Sequence, residues 1–159
     1  MSNASIVRLA GTGERQAAID RLATEWGDPV RVRGETYGFG ECEIFIAGDF
    51  EGLAAVCLRD RPIAELVAIN AFERGRGIGT MLIEAVVATL EGFDTLRLTT
   101  TNDNLDALRF YQRRGFQLSA LRPGTVDEAR RLKPSIPALG DYGIPVRDEI
   151  DLVLRLARG

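Results

Sequence analysis

The chain contains no histidine, which removes imidazole as a general base, as the activator of a nucleophile and as a metal ligand. Cysteine is scarce: Cys42 and Cys57 are the only two, without the close spacing of a metal or redox motif. Two free buried thiols and no metal site are expected. No Gly-Lys pair occurs anywhere, so the P-loop of nucleoside-triphosphate hydrolases cannot be built. No apolar run approaches the about 20 residues that cross a bilayer, and the N-terminus lacks the charged-then-apolar layout of a secretory signal. A cytoplasmic protein without a membrane partner is the expectation. An excess of one charge is missing too. The 20 basic and 23 acidic residues, net -3, are spread along the chain, and such a balance offers no field to gather nucleic acid.

What the chain does have is enough apolar material for one core. Its 159 residues are 45% hydrophobic, which suits one domain over residues 1–159. Ile6 to Leu9 reads as a short strand and Glu14 to Trp26 as a helix with an apolar stripe, ended by Gly27-Asp28-Pro29. Val30 to Thr36 alternates weakly and is expected as an extended segment or edge strand. Glu43 to Ala47, Leu53 to Leu58 and Ile63 to Asn70 are β-rich runs separated by turn residues, a three-stranded antiparallel meander. A tight turn at Asp49-Phe50 would make Cys42 and Cys57 cross-strand neighbours.

Gly77 to Leu90 repeats apolar residues at helical spacing, and Thr95 to Thr100 reads as a buried strand. A helix between two strands predicts a parallel pair with a right-handed crossover. Asn104 to Arg114 is a second such helix, closed by Gly115. Phe116 to Leu121 is a strand, Thr125 to Lys133 a short helix with a Thr125/Glu128 capping box, and Glu149 to Leu156 a final strand. The intervening residues Pro134 to Arg147 form a loop of about 14 residues, long enough to imply an ordered lid or a packing role. A homodimer contact is the other role open to it.

The most informative stretch is Phe72-Glu73-Arg74-Gly75-Arg76-Gly77-Ile78-Gly79-Thr80, where alternate glycines lie between a strand and a helix. Glycine lets the main chain approach an anion closely, and the N–H groups of the next helix's first turn point at it. Arg74 and Arg76 add positive charge. A dinucleotide fingerprint needs a small residue at its third position, whereas Gly11-x-Gly13-x-x-Gln16 and Gly75-x-Gly77-x-x-Thr80 put Gln and Thr there.

Arg74-x-x-Gly77-x-Gly79 after a strand resembles the acyl-CoA signature of the GNAT superfamily of N-acetyltransferases. Asn104-x-x-Ala107-x-x-x-Tyr111-x-x-x-Gly115-Phe116 resembles that superfamily's second motif, and the order of elements matches its plan over nearly the whole chain. The resemblance implies an α/β fold with a central mixed, mostly antiparallel sheet, splayed between its fourth and fifth strands and flanked by helices. It implies acetyl-CoA as co-substrate and an amine acceptor, small molecule or peptide. The pantetheine would lie along Val67, Ala68, Ile69 and Ala71, the diphosphate against Arg74, Gly75, Arg76, Gly77, Ile78, Gly79 and Thr80, and Asn104 would hold pantetheine.

By the same resemblance the amine attacks the thioester directly, and Tyr111 is the acid that protonates the departing thiolate. A phenol keeps its proton at neutral pH. Glu65, a carboxylate inside an apolar run, is the candidate base, with pairing to a nearby arginine as its alternative reading. Glu149, Asp151 and Tyr142 are expected on a solvated strand face or in ordinary loop packing. Residues 35–41 and the long loop would line the acceptor pocket. The competing class is a module that senses or scaffolds acyl-CoA without turnover.

Overall fold

The computed structural model describes residues 6–73 and 75–157. Its backbone gathers into two compact units, one running to Leu96 and rejoined at Leu156, the other Arg97–Arg155.

In the first unit, β1 (Val7–Leu9), β4 (Glu43–Ala47), β5 (Gly52–Cys57) and β6 (Ile63–Ala71) lie side by side in that order, with β2 (Val30–Val32) and β3 (Glu35–Tyr37) as a separate pair. The pairings β1-β4, β2-β3, β4-β5 and β5-β6 are antiparallel, and the expected meander is β4-β5-β6. Period-two alternation sorts its residues: Ile44 and Ile46 join Leu53, Ala55 and Cys57 in the cluster that holds Ala18 and Leu22 of α1 (Arg15–Trp26). The opposite face takes α2 (Ile78–Ala88), where Ile78, Leu82 and Val86 are buried. Gly52 lets β5 pack close against α2: a Cβ there would stand 2.5 Å from Ile78 Cγ2 and 3.0 Å from Leu82 Cδ1.

One local expectation is corrected here. Residues 30–37 do not form one extended edge: they fold back at Arg33-Gly34, both in the left-handed region (φ 53 and 74), pairing Val30 with Tyr37 and Val32 with Glu35. A two-residue turn with Gly second matches the right-handed twist of a hairpin, and this outweighs the weak alternation. Gly11 serves the entry of α1, its carbonyl accepting the N–H groups of Glu14 and Arg15 at 3.0 Å. The Glu14 carboxylate accepts the Gly11 N–H at 3.2 Å and binds Arg8 at 2.5 Å, filling with an acid the place a phosphate would need.

The second unit takes up β7 (Thr95–Thr101) from the first and orders it with β9 (Glu149–Arg155) and β8 (Gln117–Arg122) as β7-β9-β8, the last two antiparallel. Its helices are α3 (Leu105–Arg113) and α4 (Thr125–Leu132). The capping box at α4 is absent: Gly124, at φ 75, is the N-cap, its N–H bonds Asp148 Oδ1 at 2.9 Å, and Thr125 Oγ1 donates to the Arg122 carbonyl at 3.1 Å. Asp148 thus takes the capping role across the loop.

Residues 134–147 are firmly strapped. The Arg130 guanidinium donates to the carbonyls of Ile136, Pro137 and Val146 at 3.1, 2.9 and 2.7 Å. Asn102 donates to the Pro145 carbonyl at 2.9 Å, and its own oxygen accepts the N–H groups of Arg147 and Asp148. Such main-chain satisfaction by buried or half-buried side chains is what permits a long connection to stay ordered.

Candidate functional site

Strand β6 carries the first part of the site. Ala55 pairs with Ala68, but Val56 pairs with Leu66, so Val67 is an extra residue without an opposite number on β5. A bulge of this kind leaves one residue outside the ladder and bends the strand. Ala64 to Ala68 are buried, Ile69 and Asn70 half-buried, and Ala71 exposed. The strand therefore emerges from the core just as it enters the glycine turn. At its end, Trp26 Nε1 donates to the Asn70 side-chain oxygen, and the Arg21 guanidinium carbon sits 4.0 Å from the Phe72 ring centre.

The turn that follows has the backbone the glycines were expected to supply. Gly75 and Gly77 have φ of 82 and 73, and Gly77 is the N-cap of α2 with no side chain bonded to the helix end. The helix's own ladder leaves the N–H groups of its first turn, beginning with Ile78 and Gly79, for an outside acceptor. Gly75, Arg76 and Gly77 are exposed, while Ile78 is buried and anchors the turn. Arg74 lies outside the described residues. Arg76 is paired, with Glu73 at 2.5 Å and Glu51 at 3.7 Å, and its hydrogen bond to Glu73 raises its already high pKa. Its charge is shared before any ligand arrives.

Glu65 sits within the same strand, 2% exposed. The structure gives it the arginine partner of the alternative reading: Arg33 Nη1 and Nη2 donate to its two oxygens at 2.8 and 3.0 Å. Arg33 also donates to the Tyr37 hydroxyl at 3.0 Å, and that hydroxyl donates to Glu35 at 2.8 Å. Burial, then the hydrogen bond to Glu35, push the Tyr37 phenol up to about 12. Arg33 was missed from the sequence, although Arg33-Gly34 between two alternating triplets is a hairpin signal, and Tyr37 entered only as part of residues 35–41.

The second unit holds the other two candidates on α3. Asn104 is its N-cap: its oxygen accepts the Ala107 N–H at 3.4 Å and its amide donates to Thr100 Oγ1 at 3.1 Å. One amide hydrogen is left over for another acceptor. Tyr111 is buried between Phe110 and Phe116, edge to face at 5.2 and 5.3 Å. No hydrogen-bond partner for its hydroxyl is found among the described residues. Burial pushes the phenol well above the ordinary tyrosine range. Tyr111 is therefore protonated at neutral pH.

The outlying candidates stand differently. Glu149 and Asp151 are buried, not on a solvated face: Arg122 clasps Asp151 at 2.6 and 2.7 Å, and Thr99 donates to it at 2.6 Å. Side chains of β7, β8 and β9 are thereby tied together. Tyr142 is exposed and donates to Asp106 at 2.5 Å. Cys42 and Cys57 are free and buried, and bond separately to the Gly38 carbonyl and Glu41. Among the described residues no group of three or more Cys, Asp or Glu could hold a metal ion, and no helix is long and apolar enough to cross a membrane.

A family model described as the acetyltransferase (GNAT) family matches residues 15–116, from the start of α1 through α3 to Phe116. The chain belongs to the GNAT family. The match spans the bulged strand, the glycine turn and both motif helices, so it covers the part just described. Among relatives of the GNAT chain, YdhI of Bacillus subtilis strain 168 is 36% identical over 137 residues, 82% of this chain and 86% of YdhI. A Bacillus subtilis acetyltransferase solved in complex with CoA superposes with a TM-score of 0.71 at 20% identity, over 96% of this chain and 99% of that one. A GNAT acetyltransferase of Elizabethkingia anophelis with acetyl-CoA bound gives 0.70 at 18%, over 98% and 100%. At such identities the likeness is one of fold, and the fold is the mixed α/β plan of these acetyltransferases.

Proposed function

We propose that this GNAT protein transfers an acetyl group from acetyl-CoA to a primary amine, on a small molecule or a peptide, by direct attack through a tetrahedral intermediate. The observation that carries the reading is the bulge at Val67 in a strand that runs straight into a glycine-capped helix start. A bulged strand leaves main-chain groups for an extended ligand such as pantetheine, with Val67, Ala68, Ile69 and Ala71 as its track. The N-terminus of α2 offers N–H groups and a positive dipole end to a diphosphate over Gly75 to Thr80. Arg74 and Arg76 supply charge there, Arg76 by exchanging Glu73 for phosphate. The remaining amide hydrogen of Asn104 serves pantetheine.

The bonds balance without a covalent enzyme intermediate. The amine lone pair attacks the thioester carbonyl carbon, the oxyanion meets a main-chain N–H of β6, and the carbon–sulfur bond then breaks with its electron pair on sulfur. The nitrogen gives up its extra proton to solvent as the amide forms, while Tyr111 gives its own proton to the thiolate and recovers one from solvent. A phenol held protonated by burial is in the form that can donate at neutral pH.

Calorimetry with acetyl-CoA, followed by a panel of amines with thiol release as readout, tests the reading. Binding followed by amine-dependent release supports it. Binding with no amine raising release above hydrolysis makes the protein an acyl-CoA sensor or scaffold. Absence of heat with both CoA and acetyl-CoA removes the reading altogether.

A further inference from the structure

Glu65 is a carboxylate buried on the strand that carries the bulge, and its partner comes from 32 residues earlier in the chain. The pairing geometry is planar fork to carboxylate, with 11% of the Arg33 side chain and 2% of the Glu65 side chain exposed. Guanidinium and carboxylate matched in this way are strong and directional, and each uses up the other's best acceptor or donor sites. Arg33 reaches Glu65 from a left-handed position at the tip of the β2–β3 hairpin, where φ is 53. A non-glycine side chain in that region is uncommon and is held there by its surroundings.

The rest of the hairpin is fastened to the same place. Tyr37, wholly buried, accepts one Arg33 hydrogen bond and donates one from its hydroxyl to Glu35. Arg59 lies 4.2 Å over the Tyr37 ring and binds the Thr36 carbonyl and Glu41 from outside. Direction along β6 then matters. If the diphosphate lies at the start of α2, the ligand's reacting end lies back along the strand toward Val67, about 13 Å from Ala71 at the usual rise per residue. Glu65 is two residues beyond that point.

We propose that Glu65 is a positioning residue: with Arg33 it latches the β2–β3 hairpin beside the bulge, so that the hairpin forms a fixed wall where the amine reaches the thioester. This rests on the acetyltransferase reading for the amine's route, but the latch itself does not. A latch and a base differ in what their loss does. Losing a latch lets the hairpin open and weakens capture of the amine, whereas losing a base slows proton removal and erases the acidic limb of the rate profile.

The test compares Arg33→Gly, whose backbone still suits the turn, Glu65→Gln and the double variant, each checked for folding by circular dichroism. Amide hydrogen exchange needs no ligand. The latch predicts at least tenfold faster exchange confined to residues 30–37 in both single variants, and unchanged exchange there overturns it. In turnover with an amine that the wild type accepts, the latch predicts an amine KM at least tenfold higher in both single variants, no further rise in the double, and an acidic limb that keeps its position. A fall in kcat for Glu65→Gln alone, with the limb gone and KM unmoved, overturns the latch in favour of a base. Should the wild type bind no acetyl-CoA, the acetyltransferase reading fails while the exchange experiment still decides the latch.

Discussion

Gly52→Ala links packing to ligand binding in one substitution. The new Cβ would stand 2.5 Å from Ile78 Cγ2 and 3.0 Å from both Leu82 Cδ1 and the Asn70 carbonyl oxygen. Carbon atoms rest at about 3.5–4.0 Å, so Ile78 must retreat by about 1 Å. It has nowhere empty to go, being 1% exposed with Leu82 fully buried beside it. Overpacking of a tight core costs about 1–3 kcal/mol, and in a chain of this size each kcal/mol moves Tm by about 2–4 °C. Ile78 is also the first residue of α2, so its retreat shifts the N–H groups proposed to hold diphosphate. Thermal melting should show the loss, and calorimetry should show acetyl-CoA bound at least tenfold more weakly. Ile78→Ala alone should cost about 2–5 kcal/mol through its cavity. Combined with Gly52→Ala the cost should be less than the sum, because the added methyl occupies part of the hole. Wild-type Tm and affinity in Gly52→Ala, or strict additivity in the pair, would refute the packing argument.

Other outcomes are expected. Tyr111→Phe should bind acetyl-CoA as before and lose about 10²-fold or more in kcat; retained turnover in steady-state assays removes Tyr111 as the acid. Gly77→Val forces a β-branched residue into φ 73 and should weaken acetyl-CoA binding measured by calorimetry, with unchanged affinity counting against the turn. Glu73→Gln should release Arg76 from its 2.5 Å pair and tighten acetyl-CoA binding a few-fold at low ionic strength, the gain fading in high salt. Alkaline titration should find Tyr37 and Tyr111 ionising late by phenolate absorbance. Both folded values lie above the unfolded value near 10, so the folded state keeps these protons longer. Stability should hold below about pH 10 and fall as pH rises past it.

Much of this molecule is legible along the chain because its strongest signals are local. The alternation of Glu43 to Ala47, the helical spacing after Gly77 and the glycines at 75 and 77 each act within a few residues, and the backbone follows them closely. Glycine at an N-cap carries its meaning in its missing side chain, so the open turn at Gly75 and Gly77 could be named before any neighbour was known. The absence of histidine likewise limits chemistry whatever the fold. Other features depend on residues that meet across the chain. The bulge at Val67 arises from how β6 registers on β5, and no pattern within Ile63 to Asn70 marks one residue as surplus. Glu65 looked the same in sequence as a base or as half of an ion pair, and Arg33, delivered by a hairpin turn, settled its partner. The buried acids Glu149 and Asp151 read as a polar strand face until Arg122 and Thr99 came alongside. A charge in an apolar setting takes its role from whichever partner the fold brings within about 3 Å, and that partner is chosen by packing at long range.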